Sequence, residues 1–219
     1  MAVALDTNVE TKDWRKTSLV RTLHSLNARL LAVFILFHLY NHTQYFFGVE
    51  RHLATMDSMR AIYRLPFIEY PLYVLFFLQI TFGLILAKKN WKPQSAWSWV
   101  QVISGLVIAF FLLQHLAATI FVRNFVPYVD TDAWWALSVV SQVPLNLYFA
   151  PYYFTGILAV FFHLAAALHF HEGARGFAIP VATVGVIMAP LIVGSMLLAV
   201  NSVELPAEYQ RYLSESYGL

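Results

Sequence analysis

Cysteine is absent from the 219 residues, and that absence excludes disulfides, iron–sulfur ligation by this chain and thiolate-ligated haem. Charge is scarce as well. Asp, Glu, Lys and Arg together make up 12% of the chain, about half their share in an ordinary soluble domain. A formal net charge of +2 is too small to recruit nucleic acid. The first 20 residues lack the apolar stretch of a cleavable leader, being interrupted by Asp6, Glu10, Lys12, Asp13, Arg15 and Lys16, so the first apolar run is expected to serve as its own insertion signal.

Apolar side chains fill the space that charge leaves. Hydrophobic residues reach 59% and gather in five runs with almost no charge, roughly Ser25 to Phe47, Phe67 to Ala87, Trp97 to Val122, Tyr152 to His171 and Phe177 to Val200. A hydrocarbon core of about 30 Å takes about 20 helical residues to cross. Within it each backbone N–H and C=O must be paired inside its own segment, which selects helices. The expected fold is all-α: an integral membrane bundle of five transmembrane helices over residues 23–203, flanked by an N-terminal segment, 1–22, and a C-terminal tail, 204–219.

The distribution of charge sets the expected orientation. Lys12, Arg15, Lys16 and Arg21 precede the first run, Lys88, Lys89 and Lys92 follow the second and Arg175 follows the fourth, all on one side. On the other side Arg51, Arg60, Arg64, Arg123 and Arg211 are diluted by Glu50, Asp57, Asp130, Asp132, Glu204, Glu208 and Glu215. The positive-inside rule puts the N-terminus in the cytoplasm and the C-terminus outside a bacterial inner membrane. Two outer loops are long. Residues 49–65 place Leu53, Met56, Met59, Ile62 and Tyr63 at helical spacing before Pro66, as in an amphipathic helix lying on the surface. Residues 124–151 carry Trp134, Trp135, Tyr128 and Tyr148, the aromatic signature of a headgroup boundary. There is no internal repeat and no low-complexity tract.

Histidine carries the chemistry. An ionisable side chain at bilayer depth is costly enough to count as a functional candidate, and several of the eight histidines fall there. At about 1.5 Å per residue, His38 in the first helix and His115 in the third both lie in the outer half. Gln79 in the second and His163 in the fourth share an inner depth. A haem held by two histidines needs one imidazole on each porphyrin face, from facing helices at one level. The candidate pairs are therefore His38 with His115, and Gln79 with His163. A lone intramembrane histidine is also a common interhelical hydrogen bonder. His42, one turn beyond His38, is a rival ligand or a partner for a haem propionate or quinone. His24 and His52 are expected at the surfaces, in water, and His169 and His171 beside Glu172 at the inner interface.

At these residues the chain resembles the five-helix cytochrome b membrane anchor of succinate:quinone and quinol:fumarate reductases, in its single-chain dihaem form. The third helix reads Trp99-Val100-Gln101, three residues, Gly105, nine residues, then His115, similar to that family's tryptophan, glutamine, glycine and histidine. Ser25-Leu26-Asn27-Ala28 is followed ten residues later by His38, and Pro151 is followed twelve residues later by His163. The resemblance spans roughly residues 23–172, with the third helix its most specific part. The second helix departs from it, because Gln79-Ile80-Thr81-Phe82-Gly83-Leu84 has glutamine where the family has a histidine. The resemblance implies haem b on His38 and His115, and leaves an inner haem on His163 short of an imidazole.

It further implies membrane quinone as a reactant and soluble flavoprotein and iron–sulfur subunits as partners. Ser25, Asn27 and Arg29, at the inner end of the first helix, are the candidate polar hooks for quinone, although Arg29 also fits a side chain snorkelling to the phosphate layer. Two other functions compete. One is a non-catalytic haem-binding or accessory subunit of a larger membrane complex. The other is a membrane di-iron oxygenase, which needs histidines clustered on one side and more carboxylates than this chain offers.

Overall fold

The computed structural model describes residues 19–219. Lys12, Arg15 and Lys16, with most of the N-terminal segment, lie outside the described residues. Those described form eight α-helices: α1 (Leu19–Thr43), α2 (Val49–Tyr63), α3 (Pro66–Lys89), α4 (Ala96–Phe125), α5 (Ala133–Ser141), α6 (Leu145–His169), α7 (Ala178–Ser202) and α8 (Ala207–Tyr217). Five of them, α1, α3, α4, α6 and α7, are long and apolar enough to cross a membrane. The chain is built as a multi-pass membrane protein, and no strand occurs among the described residues.

The helix ends follow local chemistry. Pro66 opens α3, where its missing N–H costs nothing. Ser95 caps α4 by accepting from the Ser98 N–H (3.2 Å), and Asp132 caps α5 through the Trp135 N–H (3.1 Å). Two spans begin earlier than the apolar runs. Pro151 sits inside α6 rather than ahead of it, and α1 starts at Leu19 rather than Ser25, which brings His24 into the helix.

Packing runs round a ring. α1 lies on α3, α3 on α4, α4 on α6 and α6 on α7, whereas α1 packs extensively on neither α4 nor α6. Lipid gives helices no hydrophobic reason to associate, so close approach depends on small residues. The tightest pair, α6 and α7, seats Gly185 of α7 against Phe161 of α6 and gathers Ile157 with Ala189, Ile192 and Ala199 in one buried cluster. A second cluster, Leu31, Phe76 and Leu116, joins α1, α3 and α4. Large apolar side chains such as Leu36, Phe67, Phe110, Ile187 and Leu198 point outward, as lipid contact requires.

One end of the bundle carries a cap made of α2, α5 and α8. α2 is the helix expected in the first long loop, but its buried face is Val49, His52, Met56 and Arg60, and Ile62 is exposed. The second loop is more than an interfacial belt. Its helix α5 buries Leu137 and Val140 among α6 and α7 residues. The C-terminal segment folds as α8, which buries Tyr209, Tyr212 and Leu213.

An ion cluster ties α2 to the loop before α5. Arg60 is 9% exposed and donates to Asp130 Oδ2 (2.7 Å) and the Thr131 carbonyl (2.6 Å), while Arg64 donates to Asp130 Oδ1 (2.9 Å). Burial alone would raise the Asp130 carboxyl, but the Arg64 hydrogen bond and the charges of Arg60 and Arg64 outweigh it and hold the carboxyl below its usual range. Removing one partner of a buried pair costs about 3–5 kcal/mol. Asp130 is 46% exposed, and solvent screening brings the cost toward the ~0.2–1 kcal/mol of exposed pairs. Asp130→Asn is therefore expected to lower the unfolding temperature of the detergent-solubilised chain at neutral pH. A carboxyl depressed in the fold stabilises above its unfolded pKa and loses that contribution as pH falls through the folded one. The gap between wild type and variant should accordingly close below about pH 4, and a gap that persists in acid would assign the effect to packing instead.

Candidate functional site

The long helices bring histidines together at two levels. Towards the capped end, His38 on α1 and His115 on α4 face each other with ring centres 6.0 Å apart and planes inclined at 72°. Each ring is backed by an aromatic one turn earlier in its own helix. Phe34 stacks on His38 (5.6 Å, 17°) and Phe111 on His115 (5.4 Å, 13°). Phe111 is sandwiched from the other side by Tyr152, whose hydroxyl donates to the Phe111 carbonyl (2.9 Å).

His42 and His52 extend this cluster. His42 Nε2 is 3.3 Å from His38 Nε2, and its ring lies beside those of His38, Tyr45 and His52. His52 was expected in water. It is instead 2% exposed, because α2 folds back over the bundle and turns that face inward. Asn41 Nδ2 donates to His52 Nε2 (3.1 Å), and Tyr45 stacks on the ring at 3.9 Å. Burial, with smaller contributions from His38 and Arg60, pushes the His52 pKa down to about 3, so it stays neutral at physiological pH.

Towards the other end lie His24, Gln79 and His163. Gln79 spends its amide on α1: its Oε1 accepts from Asn27 Nδ2 (2.8 Å), and its Nε2 donates to His24 Nε2 (3.3 Å). Asn27 also donates to the Leu75 carbonyl (2.7 Å). His24, likewise expected in water, is half-buried and faces His163. His163 Nδ1 lies 3.1 Å from the Gln101 carbonyl and 3.2 Å from Ser104 Oγ. The suggested quinone hooks do not converge, since Asn27 is buried against α3 while Ser25 and Arg29 are exposed. His169 stacks on Trp97 at 4.6 Å and His171 is exposed, consistent with ordinary interface polarity.

The donor chemistry at the His38 level fits haem. Two imidazoles on opposite faces of one iron have ring centres about 6 Å apart, if each metal–nitrogen distance is about 2.0 Å and each ring centre about 1.1 Å behind its nitrogen. His38 and His115 have that separation, and the buried His42 Nδ1 beside them has no hydrogen-bond partner. Such a group would rest on His38 and His115 and would supply one-electron redox chemistry. Among the described residues no three His, Asp or Glu side chains converge as ligands of a bare metal ion.

No family model, curated protein or solved structure matches this chain.

Phe111 is the piece that fixes His115, and it rests on Gly156 of α6. A Cβ at that position would lie 2.3 Å from the Phe111 ring. Gly156→Ala is expected to force Phe111 toward His115 and to cost about 1–3 kcal/mol, the usual range for overpacking. Thermal unfolding of the solubilised variant measures this, and an unchanged midpoint would show that Phe111 has room to yield.

Proposed function

We propose that this chain is a haem b-bearing membrane subunit that passes electrons between soluble partner subunits and membrane quinone, in the manner of the cytochrome b anchors it resembles. The observation that carries the proposal is the facing pair His38 and His115, two imidazoles from different helices at the separation one iron requires. Protein control of such a centre acts through axial ligands, their hydrogen bonds and burial. The stacked Phe34 and Phe111 rings hold both imidazoles and keep the local environment apolar.

In this assignment the basic side, with Lys88, Lys89, Lys92 and Arg175, is cytoplasmic in a bacterial inner membrane. Flavoprotein and iron–sulfur partners would dock there, and the capped end would face outward. The chain would be the electron-transfer subunit of a succinate:quinone oxidoreductase-like complex, with catalysis at the dicarboxylate left to its partners. A second reading, an accessory haem-binding subunit, is favoured by one observation: Ser25, Asn27 and Arg29 present no common polar surface to a quinone.

Spectroscopy separates these possibilities. The full chain, purified from haem-replete cells, is expected to give a b-type reduced-minus-oxidised spectrum, and His115→Ala should remove the centre held by His38. A short-chain naphthoquinol should reduce the haem within seconds in the electron-transfer reading. Haem that dithionite reduces but the quinol does not would favour the accessory subunit, and a colourless protein would sink the haem proposal.

A further inference from the structure

The second level of the bundle contains an imidazole that the sequence pattern did not supply. His24 on α1 and His163 on α6 face each other with ring centres 6.4 Å apart and planes at 86°, close to the 6.0 Å and 72° of His38 and His115. Their helices do not pack extensively on one another, so this ring pair is a point of approach between α1 and α6. We infer that His24 and His163 are the axial ligands of a second haem, with α1 providing the imidazole that α3 lacks. This rests on the haem-binding function proposed above.

The hydrogen bonds around His163 prepare it for a metal. Its Nδ1–H donates to the Gln101 carbonyl, with Ser104 Oγ alongside. That fixes the proton on Nδ1 and leaves the Nε2 lone pair unspent, the usual arrangement in which a ligating histidine is oriented by a carbonyl behind it. Ser104 is itself anchored by donating to the Val100 carbonyl (2.6 Å), so the ring is held from two positions on α4.

His24 is held more loosely but by a longer chain of contacts. Leu75 O accepts from Asn27, Asn27 donates to Gln79, and Gln79 Nε2 reaches His24 Nε2 at 3.3 Å. That last contact is longer than the usual 2.9–3.0 Å or so for N–H donors and gives way readily to a stronger partner. The opposite nitrogen, Nδ1, is buried and has no hydrogen-bond partner. With Gln79 donating to Nε2, the ring proton sits on Nδ1, so His24 would serve as a ligand by releasing Gln79 from Nε2.

Small residues sit where the rings lie. A Cβ on Gly105 of α4 would fall 3.0 Å from His163 Cε1 and 3.3 Å from its Nδ1. One on Gly83 of α3 would touch His24 Cε1 at 3.5 Å. Simple interhelical bonding accounts for the contact between Gln79 and His24. The bond from His163 Nδ1 to Gln101 is interhelical in the same way, and what it leaves without an assigned partner is Nε2.

The test counts haems on the full chain, purified from haem-replete cells, by pyridine haemochrome against protein concentration. Wild type is expected to carry two haems and His24→Ala one, the survivor being lost when His115→Ala is added. His24→Met should keep two haems and move one near-infrared magnetic circular dichroism band from its bis-histidine to its histidine–methionine position. Should the alanine variant fold poorly, His24→Gly with added imidazole should regain the second haem. Two unaltered haems in both His24→Ala and His24→Met, or a single wild-type haem lost with His115→Ala alone, would overturn the second site and leave the first standing. A wild-type chain without haem would overturn the functional proposal itself.

Discussion

Hydrocarbon offers no hydrogen-bond partner, so a polar side chain at depth must find one inside the protein. Much of the arrangement of this bundle follows from that requirement. Asn27 joins α1 to α3 through the Leu75 carbonyl and Gln79, His163 joins α6 to α4 through Gln101 and Ser104, and Tyr152 joins the same two helices again through Phe111. Apolar packing between helices is weakly directional in lipid, whereas each of these bonds has a single geometry. They set the rotation of α1, α4 and α6 about their axes, and rotation decides which way the histidines face.

The five spans were legible because hydrophobic length is a one-dimensional property, and each overlaps its apolar run with ends shifted by up to seven residues. The pairing of His38 with His115 was legible for a similar reason, since depth follows from counting residues. His24 was missed through a boundary. With the first helix begun at Ser25, His24 fell just outside it, yet α1 starts a full turn and more earlier. A periodic signal was present, for His24, Leu31 and His38 recur every seven residues, with Asn27 and Asn41 each three beyond a histidine. Leu31, Asn27 and Asn41 are the buried residues of α1, so this stripe is the helix's inner face.

His52 and Arg60 were hidden differently. Apolar spacing in α2 suggested a face containing Leu53, Met59 and Ile62, which would suit a helix resting on lipid headgroups. The observed helix rests on protein, where polar side chains find fixed partners: Asn41 for His52, Asp130 and Thr131 for Arg60. No property of residues 49–63 alone distinguishes these two surroundings. The deciding groups lie on α1 and in the loop before α5, distant in sequence.

The cap makes the two ends of the bundle unequal in their distance from water. At one end α2, α5 and α8, clamped by Arg60 and Asp130, lie over the level of His38 and His115. At the other end, among the described residues, the helices are joined by residues 90–95 and by the short turn Glu172–Phe177. His163 stands six residues before the end of α6, about 9 Å at the helical rise. Among the described residues the His24 level therefore lies near the less covered end of the bundle, while α2, α5 and α8 stand between the His38 level and the other end, so the two histidine levels differ in their surroundings although their ring geometries are alike.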